Sequence, residues 1–290
     1  MRHVYECPLR WADLDLQGHV NNVVYVDYLQ EARVDMLRTH APEPRTEDLA
    51  EGVVVVRHEV SYRAPLHYLR ASVKIESWVT EIRAASFTMA YEVFDDAPDE
   101  ESGRTVYLRA STVLTPYVFA TERPRRISPE EREALTRLLE PVERVRPVPL
   151  APVERERANH YRLHVRFSDV DVYGHVNNVK YFEYFQEARI RLHARLLRDV
   201  EGLAHPTMVV AQTDVDYRVP IMFRPEPYDV WSRIVRVGER SMTVEAEICD
   251  GDVVLSRARV VMVFVEPVTG RAVAPDPAYR ELLLSPSPTR

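Results

Sequence analysis

"DLDLQGHVNNVVYVDYLQEAR" spans Asp13 to Arg33, and "DVDVYGHVNNVKYFEYFQEAR" spans Asp169 to Arg189. The two stretches are identical at 14 of 21 positions, at a constant offset of 156 residues. An internal repeat of this kind decides the reading of the whole chain, because each copy must be one structural unit. The echo continues beyond it. Ser61-Tyr62-Arg63-Ala64-Pro65-Leu66 answers Asp216-Tyr217-Arg218-Val219-Pro220-Ile221, Trp78 answers Trp231, and Arg109-Ala110 answers Arg257-Ala258. The offset shrinks to 148 along the way, mainly where the acidic run 95–105 faces the shorter run 249–254. Both runs read as hairpin loops of different length.

Each copy has the same order of elements. A short strand (about 3–11; about 160–168) leads through the polar cluster to a helix (about 21–38; about 177–197). Tyr25, Tyr28, Leu29, Ala32, Met36 and Leu37 recur at helical spacing in the first of these. β-rich runs follow at 53–63, 71–82, 86–95 and 105–119, and again at 207–218, 228–238, 241–249 and 253–265. Residues 128–140 read as a closing helix, with Ser128 as N-cap, Pro129 in the first turn and Glu131 completing a capping box. Residues 276–283 are its shorter twin. Domains are expected at 1–145 and 158–290. Between them, 146–157 is rich in Pro and Arg and reads as an extended connector without packed structure. One long helix with four or five antiparallel strands is an α+β unit whose helix covers one sheet face, and two such units can join edge to edge.

Composition narrows the classes. The 290 residues carry a net charge of −7, and 46% are apolar, enough for a sizeable core. An acidic chain is a poor generic nucleic-acid binder, although its local Arg clusters can still receive phosphates. No apolar run approaches the 18 or so residues that span a bilayer, and the first residues lack a secretory h-region. The two cysteines, Cys7 and Cys249, hold non-equivalent places. That argues against a disulfide framework or thiolate metal site and fits a reducing cytoplasm.

The cluster D-x-D-x-x-G-H-V-N-N bridges a strand end and a helix start. Gly18 and Gly174 permit positive φ or a close approach. Asn21, Asn22, Asn177 and Asn178 are natural N-caps. The helix start offers unpaired N–H groups that can stabilise an oxyanion, with a carboxylate four residues before the His. This is enough equipment to hydrolyse an activated acyl group. A calcium loop is rejected, because its twelfth position would be Val24 or Lys180 instead of Glu. Asp15/His19 and Asp171/His175 could ligate a metal, but each pair lacks a third ligand nearby. A purely structural role, with Asp and Asn capping the helix, is the bland alternative. Asp13 and Asp169 read as turn residues. Glu31 and Glu187 lie roughly 15 Å along the helix from the Asn pair, too far for the same chemistry. The aromatics Tyr25/Tyr28 and Tyr181/Tyr184 read as core or as the lining of an acyl tunnel.

At these residues the sequence resembles the hotdog-fold acyl thioesterases of the 4-hydroxybenzoyl-CoA thioesterase and plant acyl-ACP thioesterase type. The resemblance covers both halves. It implies a tandem double hotdog, each antiparallel sheet wrapped around a long helix, with acyl-thioester hydrolysis at the interface between hotdogs. It implies Asp15 and Asp171 as the catalytic carboxylates, acting as nucleophile or general base. His19 and His175 would orient the carboxylate or polarise the thioester, and the backbone at Asn22 and Asn178 would form the oxyanion site. Gly18, Gly174, Arg63 and Arg218 are assigned to substrate binding, the arginines to CoA phosphates. In the plant enzymes an Asn sits two residues after the catalytic Asp. Gln17 and Tyr173 stand there instead, which weakens the acyl-ACP assignment and suggests that the two sites differ. The expectation is a cytoplasmic acyl-CoA thioesterase without metal or redox cofactor, CoA being part of the substrate, with no nucleic-acid or membrane partner and further assembly into a homo-oligomer (a dimer of double hotdogs). The alternatives are an acyl-ACP thioesterase, a non-catalytic acyl-CoA-binding or sensor module, and a hotdog hydratase.

Overall fold

A computed structural model describes residues 1–40, 51–68, 71–97, 101, 103–142, 148–198 and 206–284. The chain divides into two compact units, Met1–Pro147 and Val148–Arg290. Their elements are, in the first unit, β1 His3–Pro8, α1 Tyr25–His40, β2 Glu51–Tyr62, β3 Ser72–Ile82, β4 Phe87–Asp96, β5 Arg104–Val118, β6 Arg123–Pro124 and α2 Pro129–Arg137. In the second they are β7 His160–Leu163, α3 Lys180–Leu196, β8 Met208–Tyr217, β9 Tyr228–Val237, β10 Ser241–Asp250, β11 Val253–Phe264 and α4 Pro277–Leu284.

Within the first unit the antiparallel order is β1-β3-β4-β5-β2, with β6 on the end of β5. Within the second it is β8-β11-β10-β9-β7. The long helix is the core of each. Tyr25, Val26, Tyr28, Leu29, Ala32 and Met36 of α1 are buried, as are Tyr181, Phe182, Tyr184, Phe185, Ala188 and Leu192 of α3. Their spacing of three and four residues gives one wide apolar face that the sheet must cover. At the far end of α3, Leu192 packs with Met242, Val260, Phe264, Tyr279 and Leu283, so α4 closes that core. Each unit is thus a hotdog, and the expected tandem α+β architecture is the observed one.

Differences from expectation lie at the ends. β1 stops at Pro8 and β7 at Leu163, and a single helical turn follows each, Trp11–Asp13 and Phe167–Asp169. The long helices begin at Tyr25 and Lys180, later than expected, because a turn precedes them: Val24 N–H donates to the Asn21 carbonyl and Lys180 N–H to that of Asn177. The β10–β11 hairpin turns at Gly251 with φ 57°, while part of 95–105 lies outside the described residues. The capping box forms, Ser128 Oγ accepting from Glu131 N–H (3.2 Å) and Glu131 Oε2 from Ser128 N–H (2.9 Å).

The segment read as an unpacked connector does pack in its described part. Leu150 and Val153 are buried in the second unit. Val153 N–H donates to Glu247 Oε1 (3.1 Å), and Arg257 and Arg259 donate to the carbonyls of Leu150 and Pro149 (3.3 Å each). Prolines do keep the backbone extended, but the apolar side chains between them gain by leaving water.

Candidate active site

Both copies of the motif build the same loop from the same contacts. The first Asp is its buried anchor. Asp13, 5% exposed, accepts from Tyr28 Oη (2.6 Å) and Arg10 N–H (3.1 Å). Asp169, 6% exposed, accepts from Tyr184 Oη (2.7 Å) and Arg166 N–H (2.9 Å). Burial, then the bond to Asp13 or Asp169, pushes both tyrosine pKa values well up, so both phenols remain donors. These aspartates are therefore more than turn residues. A buried carboxylate must be hydrogen-bonded, and Tyr28 and Tyr184 supply the bond one helical turn into the core.

The second Asp has a different environment. Asp15 is half-buried, and its Oδ1 accepts from the backbone N–H of Gln17 (2.8 Å) and His19 (3.2 Å). Asp171 Oδ1 accepts from Tyr173 N–H (2.9 Å) and His175 N–H (3.3 Å). Among the described residues Oδ2 of each carboxylate has no hydrogen-bond partner. The backbone of the same residue closes the loop: Asp15 N–H donates to the His19 carbonyl (2.7 Å), and Asp171 N–H to that of His175 (2.8 Å). The reversal falls on Gly18 (φ 75°) and Gly174 (φ 80°), a left-handed conformation costly for a residue with a Cβ. A Cβ there would meet nothing within 4 Å, so these glycines are required by conformation and not by a close approach.

The Asn pair divides its work. Asn21 Oδ1 caps Val23 N–H and Asn177 Oδ1 caps Val179 N–H (3.3 Å each). Asn22 and Asn178 offer backbone carbonyls to Tyr62 Oη (2.7 Å) and Tyr217 Oη (2.9 Å). Among the described residues the Asn22 N–H has no acceptor, leaving a donor at the start of the first helix. The echoing segment after β2 and β8 is strapped onto this loop. Val20 N–H donates to the Leu66 carbonyl and Val176 N–H to that of Ile221 (2.8 Å each). Ile221 N–H donates to Tyr181 Oη (3.0 Å), and the Tyr25 ring packs edge-on against Tyr62. The paired tyrosines are core residues with polar handles on the loop. Arg63 and Arg218 lie three residues before Leu66 and Ile221, on the same strap. Both are exposed and have no ion-pair partner among the described residues.

The copies part at the imidazole. His19 bridges to His67, their rings 4.6 Å apart and edge-to-face, whereas His175 bridges to Met222. Burial lowers the His19 pKa, the His67 charge lowers it further, and Asp15 opposes both. The sequence reading missed His67, which lies 48 residues from its partner. It also missed Arg33 and Arg189 at the end of the motif, both buried on the long helices. Their identity in both copies was the available signal. Glu31 and Glu187 are exposed. Among the described residues no three His, Cys, Asp or Glu side chains gather as a metal site would require, and no helix is long and apolar enough to cross a membrane.

A carboxylate held by two amides, with its other oxygen open beside a helix start, is equipment for acyl transfer. The comparison with known families agrees with this. The thioesterase-like superfamily matches residues 9–135 and 165–283, most of both units, and the chain belongs to it. An uncharacterized protein of Bacillus subtilis, YsmA, is 34% identical over 128 residues, 42% of this chain and 83% of that protein. Among solved structures, a Lactobacillus plantarum protein provisionally named an oleoyl thioesterase aligns with a TM-score of 0.74 at 16% identity, covering 92% of this chain and 97% of that one. An acyl-ACP thioesterase from Bacteroides thetaiotaomicron aligns at 0.65 and 16% identity, covering 90% and 97%. The 12:0-ACP thioesterase from Umbellularia californica aligns at 0.65 and 14%, covering 90% and 93%. At these identities the structures speak for the fold. Family membership supports thioester hydrolysis as the general activity.

Proposed function

We propose that the protein is an acyl-CoA thioesterase, releasing a fatty or aromatic acid and CoA, with Asp15 and Asp171 as its catalytic carboxylates. The observation that carries this reading is the loop geometry: Oδ1 is pinned by two backbone amides, while Oδ2 is left to act. In the water-activated form of the reaction, Oδ2 takes a proton as water oxygen bonds to the thioester carbon. The Asn22 N–H, without an acceptor among the described residues, would donate to the oxygen on which charge develops, and the backbone at Asn178 is assigned the same role. The C–S bond then breaks and the thiolate takes a proton. Attack by the carboxylate itself is the other form, passing through an anhydride that water opens. His19, its pKa lowered by burial, orients the carboxylate or polarises the carbonyl, and His175 is assigned the same positioning role in its copy. Gly18 and Gly174 hold the turn. Arg63 and Arg218, without an ion pair among the described residues, suit the phosphates of CoA. Gln17 and Tyr173, where the plant acyl-ACP enzymes carry Asn, favour CoA over a carrier protein. The reaction as written needs no metal or redox cofactor. A cytoplasmic setting and a homo-oligomer belong to the same reading.

The test is free-thiol release from short, long and aromatic acyl-CoAs by wild type, Asp15→Asn, Asp171→Asn and the double variant. Each working carboxylate should contribute roughly 10²–10⁴-fold to kcat. Loss only in the double variant means two working sites, and loss in one single variant makes the other copy a scaffold. Release from acyl-ACP alone would replace the CoA assignment. Acyl-CoA bound but never hydrolysed would make the protein a binding module.

A further inference from the structure

A groove of about 520 Å³ lies in the second unit between β7 and α3, and its lining is strongly basic. Arg162 comes from β7. Arg191 and Arg195 come from α3, with Arg198 just beyond it. The helix residues follow one another at three- and four-residue steps, so they share the face that looks at β7. From Lys180 to Arg191 and Arg195 is roughly 16 to 22 Å along the helix, so the groove is separate from the motif loop at the other end.

The first repeat shows what this place looks like without that charge. At the offset of 156, Arg162 corresponds to Glu6, Arg191 to Asp35 and Arg195 to Thr39. Asp35 is matched by His3 Nε2 (2.8 Å), and Glu6 accepts from Ser72 Oγ (2.6 Å). Two carboxylates and a hydroxyl have become three guanidinium groups on the same scaffold.

The second repeat does not neutralise them. Among the described residues Arg162, Arg191 and Arg198 have no carboxylate partner. Arg191 lies over the Tyr161 ring at 4.6 Å. Arg195 donates through Nη2 to the neutral Asn159 Oδ1 (2.6 Å), while its Nε is buried with no acceptor. Of the carboxylates around the groove, Glu156 is engaged with Asn159 Nδ2 (3.1 Å) and Asp229 with His160 Nε2 (2.7 Å). Burial lowers the Arg195 pKa; Glu156 opposes, and Arg198 adds to the shift. A concave site ringed by guanidinium groups that lack a carboxylate partner among the described residues is arranged for an anion with several oxygens.

We propose that this groove binds a small, multiply charged phosphate ester, held by Arg162, Arg191 and Arg195 at a site distinct from the motif loop. The phosphates can belong to a free nucleotide-like ligand or to the far end of a CoA thioester; the recognising chemistry is the same.

Calorimetric titration of the full chain with inorganic pyrophosphate, and with adenosine 3′,5′-bisphosphate, tests this directly. The variants Arg162→Glu and Arg191→Asp restore the side chains of the first repeat. Both positions are exposed, and an unchanged melting temperature will certify the fold. Saturable, salt-sensitive binding weakened by at least about tenfold in each variant is expected, the size of one lost charge-assisted pair. Absent binding in wild type, or equal binding in the variants, overturns the proposal. Turnover of a phosphate-free acyl-N-acetylcysteamine thioester should be unaffected. If KM for acyl-CoA alone rises in the variants, the bound phosphates are the substrate's own. If it does not, while pyrophosphate binding is lost, the ligand is a separate polyanion. The binding readout requires no hydrolysis, so its failure and that of the thioesterase reading are distinguishable.

Discussion

The loops at Asp13–Asn22 and Asp169–Asn178 share their hydrogen bonds almost atom for atom, yet they face different neighbours. Both bury the first Asp under a tyrosine hydroxyl, pin one oxygen of the second, and turn at a left-handed glycine. Around that frame, His67 is exchanged for Met222, Gln17 for Tyr173, and Asp13 has an Arg at 3.4 Å where Asp169 has none among the described residues. What the chain holds constant is the machinery that fixes a carboxylate. What it varies is what meets that carboxylate from outside. The difference teaches that the frame is one inherited solution, while reactivity can be tuned in each copy separately.

The strongest probe of the shared frame is Tyr28→Phe against Tyr184→Phe. Each removes a hydrogen bond to a buried carboxylate and should cost about 1.5–3 kcal/mol by urea unfolding. Asp169 has no Arg partner among the described residues, so Tyr184→Phe should be the more damaging by up to about 1 kcal/mol. Equal and negligible losses would show that the buried anchor does not hold the loop. Next come Gly18→Ala and Gly174→Ala. Since an added Cβ meets open space, only the left-handed backbone should count, about 1–2 kcal/mol in either copy. A much larger loss at one glycine would mean a close approach at that loop alone.

The smallest effect sharpens the contrast at the imidazole. His67→Met makes the first loop resemble the second and removes one cause of the low His19 pKa, so NMR titration should show that value rising. It should not reach the ordinary histidine value, because burial is the larger cause. The sign for stability follows. A histidine whose folded pKa is depressed binds its proton more readily when unfolded, so stability falls as pH drops through the ordinary histidine range and returns above it. His67→Met should shrink that acid loss.

Much of this was legible in advance, for physical reasons. The repeat set two units, and the change from alternating to helical periodicity placed the long strands and helices within a few residues, while the two-residue β6 was not foreseen. The catalytic candidates sit together because they are close in sequence. Asp13 was misread because an Asp near a turn is common, although Tyr28 and Tyr184 stand fifteen residues after the two anchors in both copies. Tyr62 and Tyr217 were visible as an echo, but not as the residues that grip Asn22 and Asn178. That contact spans some 40 residues, and nothing local announces it. The burial of 148–153 was hidden by prolines that signal an extended chain equally well in water and against a sheet.

That last segment has a consequence for how the chain can be divided. Glu247 is 2% exposed and takes bonds from Arg257 Nε (2.6 Å) and Val153 N–H. The Val153 donor therefore lies upstream of the first strand of its own repeat. The length of sequence that was copied and the length that completes a core are not the same. A fragment begun at 158 would carry a whole repeat, yet leave a buried carboxylate one donor short and the seats of Leu150 and Val153 open to water.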